Sequence, residues 1–150
     1  MRHLMRASLT IAAMLALPAA ALAQATSPVG HWKTIDDKTG KPKALVSITE
    51  DGGVLTGKIE KLFRAPSEEQ NPTCAKCEGA RKDQPIIGMT ILSGLKKDGS
   101  DYTGGEIVDP ASGKTYKSKA TLTDNGSKLD VRGYVGAPMF GRTQTWVREP

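Results

Sequence analysis

The sequence predicts an all-β fold, a single antiparallel up-and-down barrel of about eight strands with one long irregular loop. Apolar and polar residues alternate over short runs, which is the pattern of half-buried strands. Turn signals such as Asp51-Gly52-Gly53 and Asp124-Asn125-Gly126 separate those runs. No long segment carries a helical period. Eight up-and-down strands can close into a small barrel, and closure removes the exposed sheet edges.

The first three predicted strands, 31–35, 43–50 and 54–63, form one meander. A turn over residues 36–40 joins the first pair, and Gly52-Gly53 joins the second, because glycine reaches positive φ at little cost. The period of two places the apolar residues of the second and third strands on one face. Those residues are Ala44, Val46, Ile48, Leu55, Gly57, Ile59 and Phe63.

Residues 64–85 break the alternation. This segment holds Pro66, Pro72 and Pro85, both cysteines and many charges. We interpret it as a long ordered loop with one helical turn. Long irregular loops in compact domains tend to be functional or to cover something.

Alternating strands then resume over 86–95, 102–108, 114–123, 128–135 and 142–148. The turns between them carry glycine, as in Lys97-Asp98-Gly99 and the 109–113 turn. Residues 136–141 form a bend before the last strand. The predicted inward residues of the sixth and seventh strands are Tyr116, Ser118, Ala120, Leu122, Leu129, Val131, Gly133 and Val135.

The N-terminus predicts a cleaved signal peptide over residues 1–23, with the barrel domain over residues 24–150. Arg2 and Arg6 precede an apolar run from Leu9 to Leu22, and Ala21-Leu22-Ala23 supplies small residues at the cleavage site. The run is too short for a membrane span, which needs about 20 apolar residues. A lipoprotein is not expected, because no cysteine stands at the cleavage site. We therefore expect a periplasmic or secreted protein.

The charge pattern excludes nucleic acid as a partner. Two of the 21 Lys and Arg lie in the predicted signal peptide, so 19 remain against 16 acidic residues. These charges are interspersed, with no basic arm or block. An ordinary solvated surface explains them.

Catalysis is not predicted. The mature part has one histidine, His31, which neighbours Trp32 on the first strand and should point to the surface. A nucleophile needs a base beside it, and the chain has no Gly-x-Ser-x-Gly motif. The carboxylate pairs Asp36-Asp37 and Glu68-Glu69 are typical of solvated loops. We expect no cofactor and no metal.

Cys74-Ala75-Lys76-Cys77 allows several interpretations. Zinc needs about four ligands, haem attachment needs His where Glu78 stands, and a thioredoxin-like pair needs a βαβ unit. A disulfide that stiffens the loop fits an exported protein best.

Trp32 near the start of the first strand and Arg148 at the end of the last should meet, since the first and last strands of such a barrel are neighbours. We predict a structural cation–π plug at one end. An early Gly30-x-Trp32 with a late Arg resembles the calycin superfamily, which includes lipocalins, fatty-acid-binding proteins and avidins. The resemblance implies a lipocalin-like barrel.

A longer set of motifs follows in order along the chain. The motifs are Gly30-x-Trp32, Gly57-Lys58-Ile59, Cys74-x-x-Cys77-x-Gly79, Asp109-Pro110-x-x-Gly113-Lys114-x-Tyr116, Val131-Arg132-Gly133-Tyr134 and Phe140-Gly141-Arg142-Thr143-Gln144-x-Trp146-x-Arg148. Together they resemble a family of small exported bacterial proteins that is described as a domain of unknown function. That resemblance implies an exported calycin-like barrel with no assigned reaction.

The last strand suggests a binding site. Arg142 and Gln144 share a face with Trp146, so an inward Trp146 would bring both toward the interior, near the open end. With Tyr116 and Ser118 they form the predicted site for a small apolar or amphipathic, possibly anionic, ligand. The alternative for Arg142 is a rim position or a paired acid. The alternative function is protein binding, as a periplasmic protease inhibitor or an envelope-assembly or stress partner.

Overall fold

A computed structural model of the protein describes residues 26–150, so the predicted signal peptide lies outside the described residues. Eight strands follow one another around a closed antiparallel barrel, which confirms the predicted fold. Within residues 26–150, no helix is long and apolar enough to cross a bilayer. The strands are β1 Gly30–Ile35, β2 Pro42–Asp51, β3 Val54–Leu62, β4 Thr90–Asp98, β5 Asp101–Asp109, β6 Lys114–Thr123, β7 Lys128–Tyr134 and β8 Gly141–Glu149.

The barrel has two unlike ends. The short hairpins β2–β3, β4–β5 and β6–β7 lie at one end, with the start of β1 and the end of β8; we call this the closed end. The β1–β2 loop, the β5–β6 turn, the Cys loop (residues 63–89) and the β7–β8 bend (residues 135–140) lie at the other, the open end. The closed end therefore has only short turns, whereas the long irregular segments all border the open end.

Period-two alternation places the predicted apolar face inside. Val46, Ile48 and Leu55 are buried in the barrel, as are Leu129 and Val131 on the opposite wall. The barrel closes through β1 and β8, whose register pairs Trp32 with Arg148. Burial of these aliphatic side chains is the main driving force for closure.

The closed end is plugged by the predicted pair. The Arg148 guanidinium lies 4.3 Å from the centroid of the Trp32 ring. Trp32 is fully buried, and its indole N–H donates to the carbonyl of Pro28 over 2.8 Å. This stack of the guanidinium on a buried indole confirms the cation–π prediction.

Arg148 also binds three backbone carbonyls. Its Nε donates to Gly126 over 2.8 Å, Nη1 to Val29 over 2.9 Å and Nη2 to Ser27 over 2.7 Å. Gly30 makes room for this network, because a Cβ at its φ of 138° would lie 2.7 Å from Nη1. Burial lowers the pKa of Arg148 from its ordinary value. The guanidinium thus joins the residues that precede β1, the β6–β7 turn and β8.

The limits of three strands, β3, β4 and β7, differ from prediction at an apolar residue. The fourth strand begins at Thr90 rather than Ile86, because Gly88 has φ 91° and Met89 closes a turn onto Ile86. β7 ends at Tyr134, so Val135 is 66% exposed at the mouth instead of inside. Phe63, also predicted inside, follows the end of β3 and is exposed at the mouth. In each case the apolar pattern continued past the point where pairing stops.

Candidate functional site

A cavity of about 800 Å³ opens at the open end of the barrel. All eight strands contribute to its wall. One lining residue from each strand, in chain order, is Thr34, Ala44, Ile59, Ile91, Ile107, Tyr116, Val131 and Trp146. The volume lies within the range of about 300–1,000 Å³ that is usual for small-molecule sites.

The inner wall of the cavity is mostly apolar. Ile59, Ile91 and Val131 line it and are otherwise buried in the core. Trp146 is the large aromatic residue of the wall, and its indole N–H donates to Gln144 Oε1 over 3.3 Å. That contact uses the one polar atom of Trp146, so its ring presents an apolar surface.

The mouth is charged. Lys43, Arg64 and Arg142 line it together with Glu68 and Asp109. The Asp109 carboxylate accepts hydrogen bonds from Ala111 N–H and the Ser112 hydroxyl within its own turn. Arg64 Nη1 lies 4.0 Å from Glu68 Oε2, and a solvent-exposed ion pair of this kind is weak. Lys43 forms no ion pair with any residue of the 26–150 range.

The structure brings three of the four predicted ligand-binding residues to this cavity. Tyr116, Gln144 and Arg142 all line it. Tyr116 and Gln144 lie on the wall, half-buried. Arg142 lies at the rim: its side chain is 70% exposed, and Nη1 is 2.8 Å from Asp37 Oδ2. A rim position follows from its place as the second residue of β8, where the guanidinium keeps its water.

Ser118, the fourth predicted residue, is not among the cavity-lining residues. It lies on the inner face of β6, fully buried, opposite Gly105 on β5 and Gly133 on β7. Its hydroxyl has no hydrogen-bond partner among the described residues. A buried hydroxyl without a partner costs folding free energy, so Ser118 should lower the stability of the barrel.

The Cys loop forms one side of the mouth, and the predicted disulfide between Cys74 and Cys77 is present. Both sulfurs are buried, and Cys74 Sγ contacts the carbonyl of Pro110 at 3.5 Å. The loop backbone rests directly on Gly113, where a Cβ would lie 1.9 Å from the carbonyl oxygen of Lys76. The disulfide thus stiffens a segment that is seated on the β5–β6 turn.

Sequence reasoning missed several residues of the mouth. The sequence predicts Asp37 as a solvated charge, which agrees with its exposure, but does not predict its ion pair with Arg142; it wrongly places Phe63 and Val135 in the core. The topology alone carried a signal for Asp37: β1 neighbours β8, so the β1–β2 loop must lie beside the start of β8. The exposed Phe140, which also lines the mouth, had no such signal.

The remaining chemistry-bearing residues lie elsewhere. His31 is on the outer wall, as predicted, with Nδ1 3.1 Å from Glu60 Oε2. Among residues 26–150, no cluster of three or more His, Cys, Asp or Glu has the spacing of a metal site.

Comparison with known proteins places this geometry in a family. No curated protein matches the chain. A solved structure, protein HP1028 from the human pathogen Helicobacter pylori, described as belonging to the lipocalin family, is 21% identical and matches with a TM-score of 0.67 over 81% of this chain and 82% of that chain. At this identity the likeness concerns the fold, and it agrees with the predicted lipocalin-like barrel. Residues 30–148 match the model of a family described as "Uncharacterized protein conserved in bacteria (DUF2147)", and the chain belongs to that family.

Proposed function

We propose that the protein binds a small amphipathic, anionic molecule in the barrel, with the apolar tail inside and the charged head at the mouth. The observation that carries this proposal is the cavity itself: about 800 Å³ of space with an apolar wall and a rim that carries Lys43, Arg64 and Arg142. Lipocalin-like topology agrees with a small-molecule role.

The wall favours an alkyl tail. Aliphatic side chains surround the space, and the one indole N–H of the wall is already bonded to Gln144. Each methylene moved from water into such a site contributes about 0.8 kcal/mol. Affinity should therefore rise about fourfold for each added methylene until the cavity is full.

The rim favours an anionic head. Glu68 pairs with Arg64 and Asp109 is bonded within its turn, whereas Lys43 has no ion-pair partner in the described part of the chain. The side chain of Arg142 is 70% exposed, and its one ion-pair partner in the described residues, Asp37, is itself exposed. A carboxylate or phosphate at the mouth can therefore meet two cations without entering the low-dielectric interior.

Binding without catalysis fits the placement of the reactive groups. The one histidine of residues 26–150 faces outward beside Glu60, and both cysteines are joined in a disulfide. Neither reaches the cavity wall. The role we propose is therefore carriage or sensing of the ligand rather than its conversion.

Calorimetric titration with octanoate, decanoate and dodecanoate tests the proposal. We expect affinity to rise with chain length, and Ile107→Trp, which fills the cavity, to abolish binding. Val147→Trp, on the outer face of β8, is the matched control.

The rim charges are tested separately. Lys43→Gln combined with Arg142→Gln should lower the affinity for dodecanoate but not for its uncharged glycerol ester. Equal binding by the Ile107 and Val147 variants would contradict a cavity site.

We also propose that the protein works outside the cytoplasm. The N-terminal pattern supports this, and the Cys74–Cys77 disulfide agrees with an oxidising compartment. N-terminal sequencing of protein expressed in a bacterial host should begin at Gln24. An intact Met1 terminus on the accumulated protein would contradict export by cleavage.

A further inference from the structure

The β7–β8 bend carries the most exposed large apolar side chains of residues 26–150. Val135 is 66% exposed, Met139 76% and Phe140 68%, whereas no other large apolar side chain in the described range exceeds 41%. Single exposed apolar residues are ordinary on a protein surface, but three on one bend of residues 135–140 are typical of an interaction site.

Hydrogen bonds hold the backbone of the bend in one conformation. Val135 N–H donates to the carbonyl of Phe140 over 3.1 Å, and Phe140 N–H donates to Ala137 over 3.0 Å. Arg132 Nε anchors the bend by donating to the carbonyl of Pro138. The apolar tips are therefore presented outward on a fixed turn instead of folding back over the barrel.

A strip of positive charge borders this bend. Lys117, Lys119 and Arg132 lie on the outer faces of β6 and β7, and we call them the cationic strip. Lys119 and Arg132 are directly opposite in the register, an arrangement of like charges that destabilises a sheet. Two acidic residues adjoin the strip: Glu106 lies opposite Lys117, and Asp130 lies two residues before Arg132 on the same outer face of β7. Three cations beside two carboxylates leave one excess positive charge next to the apolar tips.

We propose that the open end docks on an anionic lipid bilayer, with Val135, Met139 and Phe140 entering the headgroup boundary and the cationic strip contacting lipid phosphates. Apolar tips beside lysines and arginines are the two features that hold a protein at such a surface. Three side chains on one convex bend suit insertion better than a protein interface, which needs about 800 Å² per partner.

Docking places the mouth of the cavity against the lipid. Val135 and Phe140 line the mouth, so a tail leaving the bilayer meets apolar atoms along its path. This consequence rests on the proposed ligand, but the docking itself does not.

Flotation with vesicles tests the proposal on the mature chain. We expect binding to vesicles of phosphatidylcholine mixed with phosphatidylglycerol, weakened by salt, and no binding to phosphatidylcholine alone. Met139→Glu, at a position outside the cavity wall, should weaken binding about 10-fold or more, whereas Met139→Leu should bind like wild type. Lys117→Gln with Lys119→Gln should also lose about 10-fold, and Lys96→Gln with Lys97→Gln, at the closed end, should not.

Two outcomes overturn the proposal. One is a wild-type protein that ignores anionic vesicles; the other is a Met139→Glu variant that binds them as well as wild type. If the wild type dimerises in solution and Met139→Glu does not, while vesicle binding is absent, the bend belongs to a second copy of the chain. Dodecanoate calorimetry without vesicles separates this result from the proposed function, because Met139→Glu should keep dodecanoate affinity within about twofold.

Discussion

The two ends of the barrel contain an arginine on the same face of the same strand, and these two arginines behave in opposite ways. Arg148 at the closed end stacks on Trp32 and donates to three backbone carbonyls. Arg142 at the open end is 70% exposed and makes one ion pair, with Asp37. The first arginine closes the structure, whereas the second stays in solvent at the mouth, held only by an exposed ion pair. Equal spacing on a strand thus fixes the face of a side chain but not its environment.

The largest effect we expect comes from removing the closed-end arginine. Arg148→Met leaves three carbonyls without their donors and removes the cation–π contact, so unfolding free energy should fall by about 3 kcal/mol. Arg142→Gln is the matched change at the open end and should cost less than about 1 kcal/mol, as exposed ion pairs do. Urea denaturation measures both. Similar losses for the two variants would contradict the contrast between the ends.

A smaller effect should come from unseating the Cys loop. Gly113→Ala places a Cβ against the backbone of Lys76 and adds a side chain at φ 73°, so the loop must shift, at a cost of about 1–3 kcal/mol. The buried Cys74–Cys77 disulfide should then react with a phosphine reductant at least about tenfold faster, because local opening limits its access. Gly99→Ala also has positive φ, but it meets no neighbouring atom and is the control. Equal reduction rates in these two variants would show that the loop does not depend on its seat.

Ser118 should give a change of the opposite sign. Ser118→Ala removes a buried hydroxyl that has no hydrogen-bond partner within residues 26–150, so the unfolding free energy should rise by about 1 kcal/mol. Thermal denaturation of ligand-free protein provides the measurement. A loss of stability would mean that the hydroxyl is satisfied in solution. A parallel loss of dodecanoate affinity would place Ser118 in the binding site after all.

The smallest effect should appear with pH at the open end. Backbone N–H groups of Thr39 and Lys38 hold the pKa of Asp36 below its ordinary value. A group whose pKa is lower in the folded state stabilises the protein at any pH above its unfolded-state pKa. That contribution is lost as the pH falls through the folded-state pKa. Asp36→Asn keeps the acceptor and removes the titration. Its melting temperature should therefore fall less than that of the wild type between about pH 5 and pH 2.

The sequence predicted the closed end better than the open end. Trp32 and Arg148 meet because strand order and alternation determine where they lie, and both are readable from a sequence. The Cys74–Cys77 disulfide, favoured over a metal or redox pair because it fits an exported protein, is present in the structure. These predictions depend on local pattern and on the neighbouring relation of the first and last strands.

The open end depends on where strand pairing stops, which alternation does not mark. Val135 and Phe63 continue the apolar pattern beyond β7 and β3, so the pattern placed them inside although they border the mouth. Arg142 shares a face with Trp146, yet its guanidinium turns to Asp37 and water because the rim lets it avoid desolvation. The cavity volume depends on side-chain packing in three dimensions, which no strand pattern contains.

In the proposed complex, the ligand enters the open end tail first and stops short of the closed end. Fluorescence of Trp146, which lines the cavity, reports this directly in a Trp32→Phe variant, where it is the remaining tryptophan. Dodecanoate brominated at its terminal carbon should quench Trp146 strongly. Dodecanoate brominated next to the carboxylate should quench it weakly at equal occupancy. The reverse order, or no quenching by either probe at saturation, would contradict binding with the tail inside the barrel.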